Sequence, residues 1–260
     1  MTANNHNSET SSTTIDGTRV SYKKSGGGEP SIVFLNGHRT PMSKWNIDIS
    51  KLENVGTVLA YDRFDTGGSG KSSSPQNGKA IVSTLNSLLE TLEIKPPYVL
   101  VAHSLGGLYA NLFARYYPTK VGAIVMVDAG HPSEADQHAI KFKTKPGLIA
   151  KLFTPVFKKD LNSEFNGVAQ TVVQINNAGD FPDTFVVVVT GGMKLPFVPK
   201  DAFESHQQWQ KDLAKLGTSG YQVIAEKSAH APQVSEPELV VKAIADAIDA
   251  IQSSSTNLAT

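Results

Sequence analysis

Residues 98–110, YVLVAHSLGGLYA, decide the fold of this chain. An apolar run enters a tight corner, HSLGG, and a stretch with helical spacing of apolar residues leaves it. A strand, a sharp turn carrying a serine and a helix form the arrangement of a nucleophile elbow, which needs small residues around the serine. Gly106 follows Ser104 by two positions, and Ala102 precedes it by two, where the common pattern has glycine. Taken alone, the stretch also fits a serine in an ordinary strand-to-helix turn.

Short apolar runs alternate with helix-like stretches along the rest of the chain. This alternation predicts a mostly parallel sheet with helices on both faces. Ligands of such sheets bind beyond the carboxyl ends of the strands, so polar residues at those ends are the candidates for chemistry. These candidates are Asn36, Gly37, His38, Asp62, Ser104, Asp128, Lys194 and His230.

A serine hydroxyl needs a base to take its proton and a third group to orient that base. His230 follows the last predicted strand, in KSAHAPQ, and satisfies the chain order of serine, acid and histidine. We therefore predict Ser104 as the nucleophile and His230 as the base. The other histidines lie in the tail, in loops or in helix-like segments: His6, His38, His103, His131, His138 and His206.

The acid is predicted away from its common place. That place is the loop after the strand at 185–189, and residues 190–199 contain no carboxylate. Asp128 ends the strand directly after the elbow helix, from where it could orient His230 and stabilise the imidazolium. The alternative is that Asp128 only orders the turn into residues 130–132.

The oxyanion formed from an attacked carbonyl needs preorganised N–H donors. One is expected to be the backbone N–H of Leu105, at the start of the helix, where the helix dipole helps. The other is expected in the loop after the strand at 31–35, and the backbone N–H of His38 is the best placed. A plain turn is the alternative reading of that loop.

The predicted domain organisation is a core of residues 14–132 and 181–252 with an insertion at 133–180. The insertion is longer than a crossover helix needs and contains amphipathic stretches, which favours a small helical cap over the site. The alternative is a pair of ordinary surface helices. Residues 1–13, rich in Ser, Thr and Asn, are predicted to be a disordered tail, and residues 253–260 a second tail.

Composition excludes several classes of function. The chain has 24 basic and 24 acidic residues, so charge gives no reason to expect nucleic acid or an anionic membrane as a partner. It has no cysteine, which excludes disulfides, thiolate metal sites and cysteine nucleophiles. Residues 67–72, GGSGKS, do not make a phosphate-binding loop, because Asp65 stands where that motif requires glycine.

The N-terminal residues are polar and lack the apolar segment of a secretory signal, so a cytoplasmic protein is expected. A leader removed earlier would leave no trace in this sequence. No apolar run approaches the length of a membrane span. No feature of the sequence predicts an oligomeric state.

Five motifs together resemble the α/β-hydrolase superfamily over about residues 14–251: IVFLNG followed by a tryptophan, YDRFDTGGSGKS, VAHSLGG, VMVDAGHP and SAH. The set is most similar to small esterase-like members whose acid follows the strand after the elbow helix. The resemblance implies an eight-stranded, mostly parallel sheet, a helical cap and no cofactor or metal. Two positions depart from the family pattern: Ala102 replaces glycine, and Asn36 stands where histidine is usual.

These observations predict a serine hydrolase that cleaves small carboxylic esters through an acyl-enzyme. Ser104, His230 and Asp128 would form the triad, with the N–H groups of Leu105 and His38 as the oxyanion hole. The same triad would serve an acyltransferase, a thioesterase or a lactonase. A non-catalytic ligand-binding protein with this fold is the alternative from a different class.

Overall fold

The structure, a computed structural model, describes residues 9–45, 50–135 and 162–257. Its eight strands form one sheet in the order β1-β2-β4-β3-β5-β6-β7-β8. Strands β1 and β2 pair antiparallel, β2 and β4 also pair antiparallel, and every other neighbouring pair is parallel. The strands are β1 Ser11–Ile15, β2 Thr18–Gly26, β3 Ser31–Leu35, β4 Thr57–Tyr61, β5 Tyr98–His103, β6 Val121–Val127, β7 Phe185–Gly191 and β8 Ser219–Ala225. The predicted fold class is thereby confirmed.

Helices cover both faces of this sheet, and each face has its own apolar core. The helices are α1 Ser50–Glu53, α2 Gly78–Thr91, α3 Gly106–Tyr116, α4 Glu164–Asn176, α5 Lys200–Leu213, α6 Pro232–Ser235 and α7 Pro237–Asn257. One core contains buried residues of α2 and α3, and the other contains buried residues of α7. Short 3-10 turns lie at Met42–Lys44 and Pro118–Lys120.

Strand β3 shows why the central strands are continuous apolar runs. Its Val33 and Leu35 pack in the core with α2 and α3, and Ile32 and Phe34 pack in the core with α7. Successive side chains of a strand point to opposite faces, so a strand covered on both sides needs apolar residues at every position. The burial of every residue of β3 therefore follows from the two helical layers.

The segment predicted as a cap is described only at its two ends. Residues 136–161, which carry most of that prediction, lie outside the described residues. Helix α4, near the end of the segment, packs against α2 and α3 and buries Val172 and Ile175. At the N-terminal end, β1 begins at Ser11 and pairs with β2, so it includes the last residues of the predicted tail. At the C-terminal end, α7 extends beyond residue 252, where the second predicted tail begins. Across the described ranges, no helix is both long and apolar enough to cross a membrane.

Candidate active site

The elbow stands at the junction of β5 and α3. Ser104 has a backbone φ of 52°, in the left-handed region that a residue with a side chain adopts only when its surroundings enforce it. A Cβ added to Gly106 would lie 2.4 Å from the carbonyl oxygen of Leu35, so only glycine lets the start of α3 pass β3 this closely. Ala102 is fully buried and pairs in register with Leu35. The sharp turn therefore forms with alanine in the position where glycine is common.

The structure brings Ser104, His230 and Asp128 into one hydrogen-bonded row. The Ser104 hydroxyl donates to Nε2 of His230 over 2.9 Å, and Nδ1 of His230 donates to Oδ2 of Asp128 over 2.7 Å. Ser104 follows β5, Asp128 follows β6, and His230 lies in the loop between β8 and α6. The Asp128 side chain is 5% exposed and the His230 side chain 59% exposed, so the row runs from the protein interior to its surface.

Asp128 is held as a carboxylate by the groups around it. Its Oδ1 accepts a hydrogen bond from the backbone N–H of Gly191 over 2.9 Å and a second from Nε2 of His206 over 3.1 Å. Burial opposes the charged form, but the hydrogen bonds from His206 and His230 outweigh it and hold the pKa of Asp128 well below its usual range. The acid of the row is consequently ionised at any ordinary pH.

His206 is a residue of this site that sequence reasoning missed. It lies on α5 and faces Asp128 with one ring nitrogen, while its Nδ1 lies 2.9 Å from Oε1 of Glu134. A histidine inside a helix-like stretch gave no local sign of contact with a strand end. The one usable signal was that α5 follows β7, which neighbours β6 in the sheet.

The loop after β3 is oriented by Arg63, which sequence reasoning did not single out. Its guanidinium donates to the carbonyl oxygens of Asn36 over 2.7 Å and of Gly37 over 2.8 Å. The carbonyl and the following N–H of a trans peptide point in opposite directions, so the N–H of His38 points away from Arg63. A Cβ added to Gly37 would lie 3.2 Å from Cβ of Ser104, which puts the loop against Ser104.

The two predicted oxyanion donors have no protein acceptor among the described residues. The N–H of Leu105 belongs to the first turn of α3, where backbone N–H groups lack a partner within the helix. The N–H of His38 likewise donates to no described group. Both amides are therefore available to an oxygen bound beside Ser104.

Glu164 forms an ion pair with Arg63 and also accepts hydrogen bonds from the loop after β3. Its Oε2 accepts from Nε and from Nη2 of Arg63, each over 2.8 Å. Its Oε1 accepts from the backbone N–H of Arg39 over 2.8 Å and from Nδ1 of His38 over 3.0 Å. Burial raises the pKa of Glu164, but the Arg63 charge and these hydrogen bonds lower it to about 2. The pair joins positions 101 residues apart, so no local pattern could reveal it.

Two further polar residues of the site have supporting contacts. Asn36 donates from Nδ2 to the carbonyl of Tyr61 over 2.9 Å and accepts from the indole N–H of Trp45, so both ends of its amide are used. His103 donates from Nε2 to the carbonyl of His230 over 2.8 Å. Burial lowers the pKa of His103 to about 4, which keeps it neutral at ordinary pH. His103 thus anchors the backbone of the His230 loop.

The other strand-end candidates, Asp62 and Lys194, are engaged away from Ser104. Asp62 accepts from the N–H of Met42 over 2.6 Å and from the N–H of Gly68 over 2.8 Å, and so joins two loops. Lys194 donates to the carbonyl of Val198 within its own exposed loop. In the part of the chain that the structure describes, no group of three or more His, Cys, Asp or Glu could hold a metal ion.

The sheet order, the elbow and the row of polar residues define an α/β hydrolase. The chain belongs to the alpha/beta hydrolase family, whose model matches residues 32–243. It is similar to the uncharacterized protein YqjL of Bacillus subtilis (strain 168), with 26% identity over 239 residues that cover 90% of this chain and 89% of that protein.

Solved structures share the fold. The enol-lactonase from Burkholderia xenovorans LB400 has a TM-score of 0.65 and 19% identity, covering 92% of this chain and 100% of that one. A hydrolase from Pseudomonas aeruginosa PA01 has a TM-score of 0.64 and 16% identity, covering 95% of this chain and 99% of that one. Family and fold therefore agree with the resemblance drawn from the motifs.

Proposed function

We propose that this protein is a serine hydrolase that cleaves small carboxylic esters through an acyl-enzyme. The observation that carries the proposal is the row from Ser104 through His230 to Asp128, with hydrogen bonds of 2.9 and 2.7 Å. The geometry supports a nucleophile activated by a base that a buried carboxylate orients.

In the first half of the proposed reaction, Oγ of Ser104 attacks the ester carbonyl while Nε2 of His230 takes its proton. Asp128 stabilises the imidazolium that forms and keeps its Nδ1 protonated. The carbonyl oxygen becomes an oxyanion, which the N–H groups of Leu105 and His38 stabilise. His230 then protonates the leaving alcohol, and the acyl group remains on Ser104.

In the second half, water takes the place of the alcohol. His230 removes a proton from the water, the hydroxide attacks the acyl carbonyl, and the same two N–H groups hold the second oxyanion. Collapse of this intermediate breaks the bond to Oγ, and His230 returns its proton to Ser104. The products are a carboxylic acid and the free enzyme.

Substitution of the nucleophile tests the proposal directly. Wild type, Ser104→Ala and the control Ser133→Ala are assayed on short p-nitrophenyl esters. Ser133 is an exposed serine beyond β6 and takes no part in the proposed chemistry. We expect kcat to fall by on the order of 10⁴-fold or more in Ser104→Ala and to stay unchanged in the control. Full turnover by Ser104→Ala would contradict the proposal.

A fluorophosphonate probe separates the enzyme from a ligand-binding protein of the same fold. An activated serine forms a covalent adduct that mass spectrometry locates on Ser104. Wild type without an adduct, and without turnover on any ester of the panel, would favour the binding protein. Product analysis with competing alcohols then distinguishes hydrolysis from acyl transfer, and thioester and lactone substrates extend the panel.

A further inference from the structure

The carboxylate of Asp128 is shared by two histidines. Its Oδ2 accepts from His230, and its Oδ1 lies 3.1 Å from Nε2 of His206. The second nitrogen of His206 lies 2.9 Å from Oε1 of Glu134. The proposed triad uses only one of these histidines, so His206 and Glu134 require an explanation of their own.

The two-sided contact defines the charge of His206. A neutral imidazole has one N–H and one lone pair, whereas the imidazolium has two N–H donors. Both ring nitrogens of His206 face carboxylate oxygens, which offer only lone pairs. The His206 side chain is 18% exposed and that of Glu134 17%, so water competes weakly for these contacts. Only the imidazolium satisfies both sides at once.

We infer that His206 is a positioning residue of the site. As an imidazolium between Glu134 and Asp128, it fixes the carboxylate of Asp128 with Oδ2 toward His230 and offsets part of its negative charge. The inference predicts that loss of this positive charge narrows the pH range in which the proposed triad works. The inference rests on the proposed hydrolase function, and it adds a residue to that site which touches neither the substrate nor Ser104.

The charged and titratable groups that face His206 and His230 favour a charged His206 at ordinary pH. His206 is faced by Asp128 from the end of β6 and by Glu134 from the segment after it. Burial opposes its charge, but these two carboxylates raise the pKa of His206 to about 10. His230 is faced by Asp128 and by His103, which burial keeps neutral.

Removal of the His206 charge should change the pH dependence of the proposed reaction. Substitution of the imidazolium by a neutral side chain removes one positive charge next to Asp128. Loss of a nearby positive charge favours the protonated, inactive form of a catalytic base. We expect the acidic limb of the kcat/KM profile to move by about one pH unit toward higher pH, because that limb reports the base of the free enzyme.

The kinetic test compares wild type with His206→Gln, His206→Lys and Glu204→Gln across pH. Gln keeps a donor but no charge, and Lys keeps the charge. Glu204 is an exposed residue of the same helix, paired with Lys200, and its variant controls for loss of a charge on α5. We expect the acidic limb to shift in His206→Gln and to stay near wild type in His206→Lys and Glu204→Gln. Equal losses of kcat in both His206 variants with no shift of the limb would indicate a structural role and overturn the inference.

Nuclear magnetic resonance of ¹⁵N-labelled histidine gives a readout that needs no turnover. We expect both ring nitrogens of His206 to be protonated at pH 8 in wild type, and the ¹⁵N signals of His230 to differ between wild type and His206→Gln. Titration of His206 near 6.5 would overturn the inference even in an active enzyme. An inactive wild type in which His206 is doubly protonated and His230 responds to the substitution would instead count against the proposed function alone.

Discussion

Two clusters of charged groups flank Ser104, and they differ in the cation that each contains. The acid flank is Asp128 with His206 and Glu134, and the oxyanion flank is Arg63 with Glu164. In both, a carboxylate near an end of the segment 133–180 binds a cation that in turn orients a part of the proposed catalytic machinery. The cation is a titratable imidazolium on the acid flank and a permanently charged guanidinium on the oxyanion flank.

The difference follows from what each flank has to hold. A guanidinium presents several N–H donors in one plane, and Arg63 uses them on two backbone carbonyls and one carboxylate. An imidazolium presents two donors at opposite ends of a ring, which suits a bridge between Asp128 and Glu134. The cation of the oxyanion flank therefore keeps its charge at any ordinary pH, whereas the cation of the acid flank can lose its charge as the pH rises.

The largest expected effect comes from the acid flank. In Asp128→Asn the side chain keeps its shape but no longer orients His230 or stabilises its imidazolium. We expect kcat on a p-nitrophenyl ester to fall by about 10⁴-fold. The urea unfolding midpoint, measured in parallel, separates this loss from unfolding. A fall of less than tenfold in a folded variant would remove Asp128 from the proposed triad.

The next effect concerns the stability that the oxyanion flank provides. Glu164→Gln leaves the buried charge of Arg63 without its partner, so we expect a loss of about 3 kcal/mol in the free energy of unfolding. The folded pKa of Glu164 is depressed, so its contribution is fully present above about 4.5 and is lost as the pH falls toward 2. Urea titrations from pH 7 to 3 should show a smaller decline in the variant than in wild type. Parallel declines would show that Glu164 does not carry this dependence.

On the acid flank, the free energy of unfolding should decrease as the pH rises. The folded pKa of His206 is raised, so its contribution is complete below about 6.5 and is lost as the pH rises toward 10. We expect wild type to lose on the order of 3 kcal/mol of unfolding free energy over this range through this group. His206→Gln should lose correspondingly less, as measured by urea unfolding at pH 6.5, 8 and 9.5. An unchanged difference between the two proteins across this range would contradict the expectation.

The smallest expected effect is a loss of kcat in Arg63→Lys, which distinguishes the oxyanion flank from the acid flank. Arg63→Lys keeps a charge opposite Glu164 but cannot reach both carbonyls of Asn36 and Gly37 at once. We expect kcat to fall about tenfold, because one preorganised oxyanion donor is less well aimed. The acidic limb of the kcat/KM profile should stay in place, unlike in His206→Gln. A shift of that limb would show that the two flanks do not act separately.

The residues predicted from the sequence share one property, which is that strand order alone brings them together. Ser104, Asp128 and His230 each follow a parallel strand, and carboxyl ends of parallel strands meet at one edge of the sheet. The loop predicted to hold an oxyanion donor lies at the same edge, because it follows β3, the neighbour of β5. Their hydrogen-bonding distances agree with the predicted triad. The catalytic role of that triad is a proposal, which the Ser104→Ala experiment would test.

The residues missed from the sequence lie on helices and loops whose facing no local pattern specifies. Glu164 begins α4 and meets Arg63 across 101 positions, and His206 meets Asp128 across 78 positions. A charged residue at the start of a helix or a histidine within one is usually solvated, so neither had reason to stand out. Only the packing of α4 against α2 and α3, and of α5 against β7, turns these side chains inward.

The sequence by itself determined the sheet, the elbow and the set of residues at the strand ends, because apolar runs and small residues are local requirements of those structures. The tertiary structure decided the electrostatics around them. It placed the half-buried His206 on one side of Ser104 and the buried Arg63 on the other, each beside a carboxylate from a distant part of the chain. Burial is what makes those charges strong and their partners necessary, and burial is a property of the folded chain.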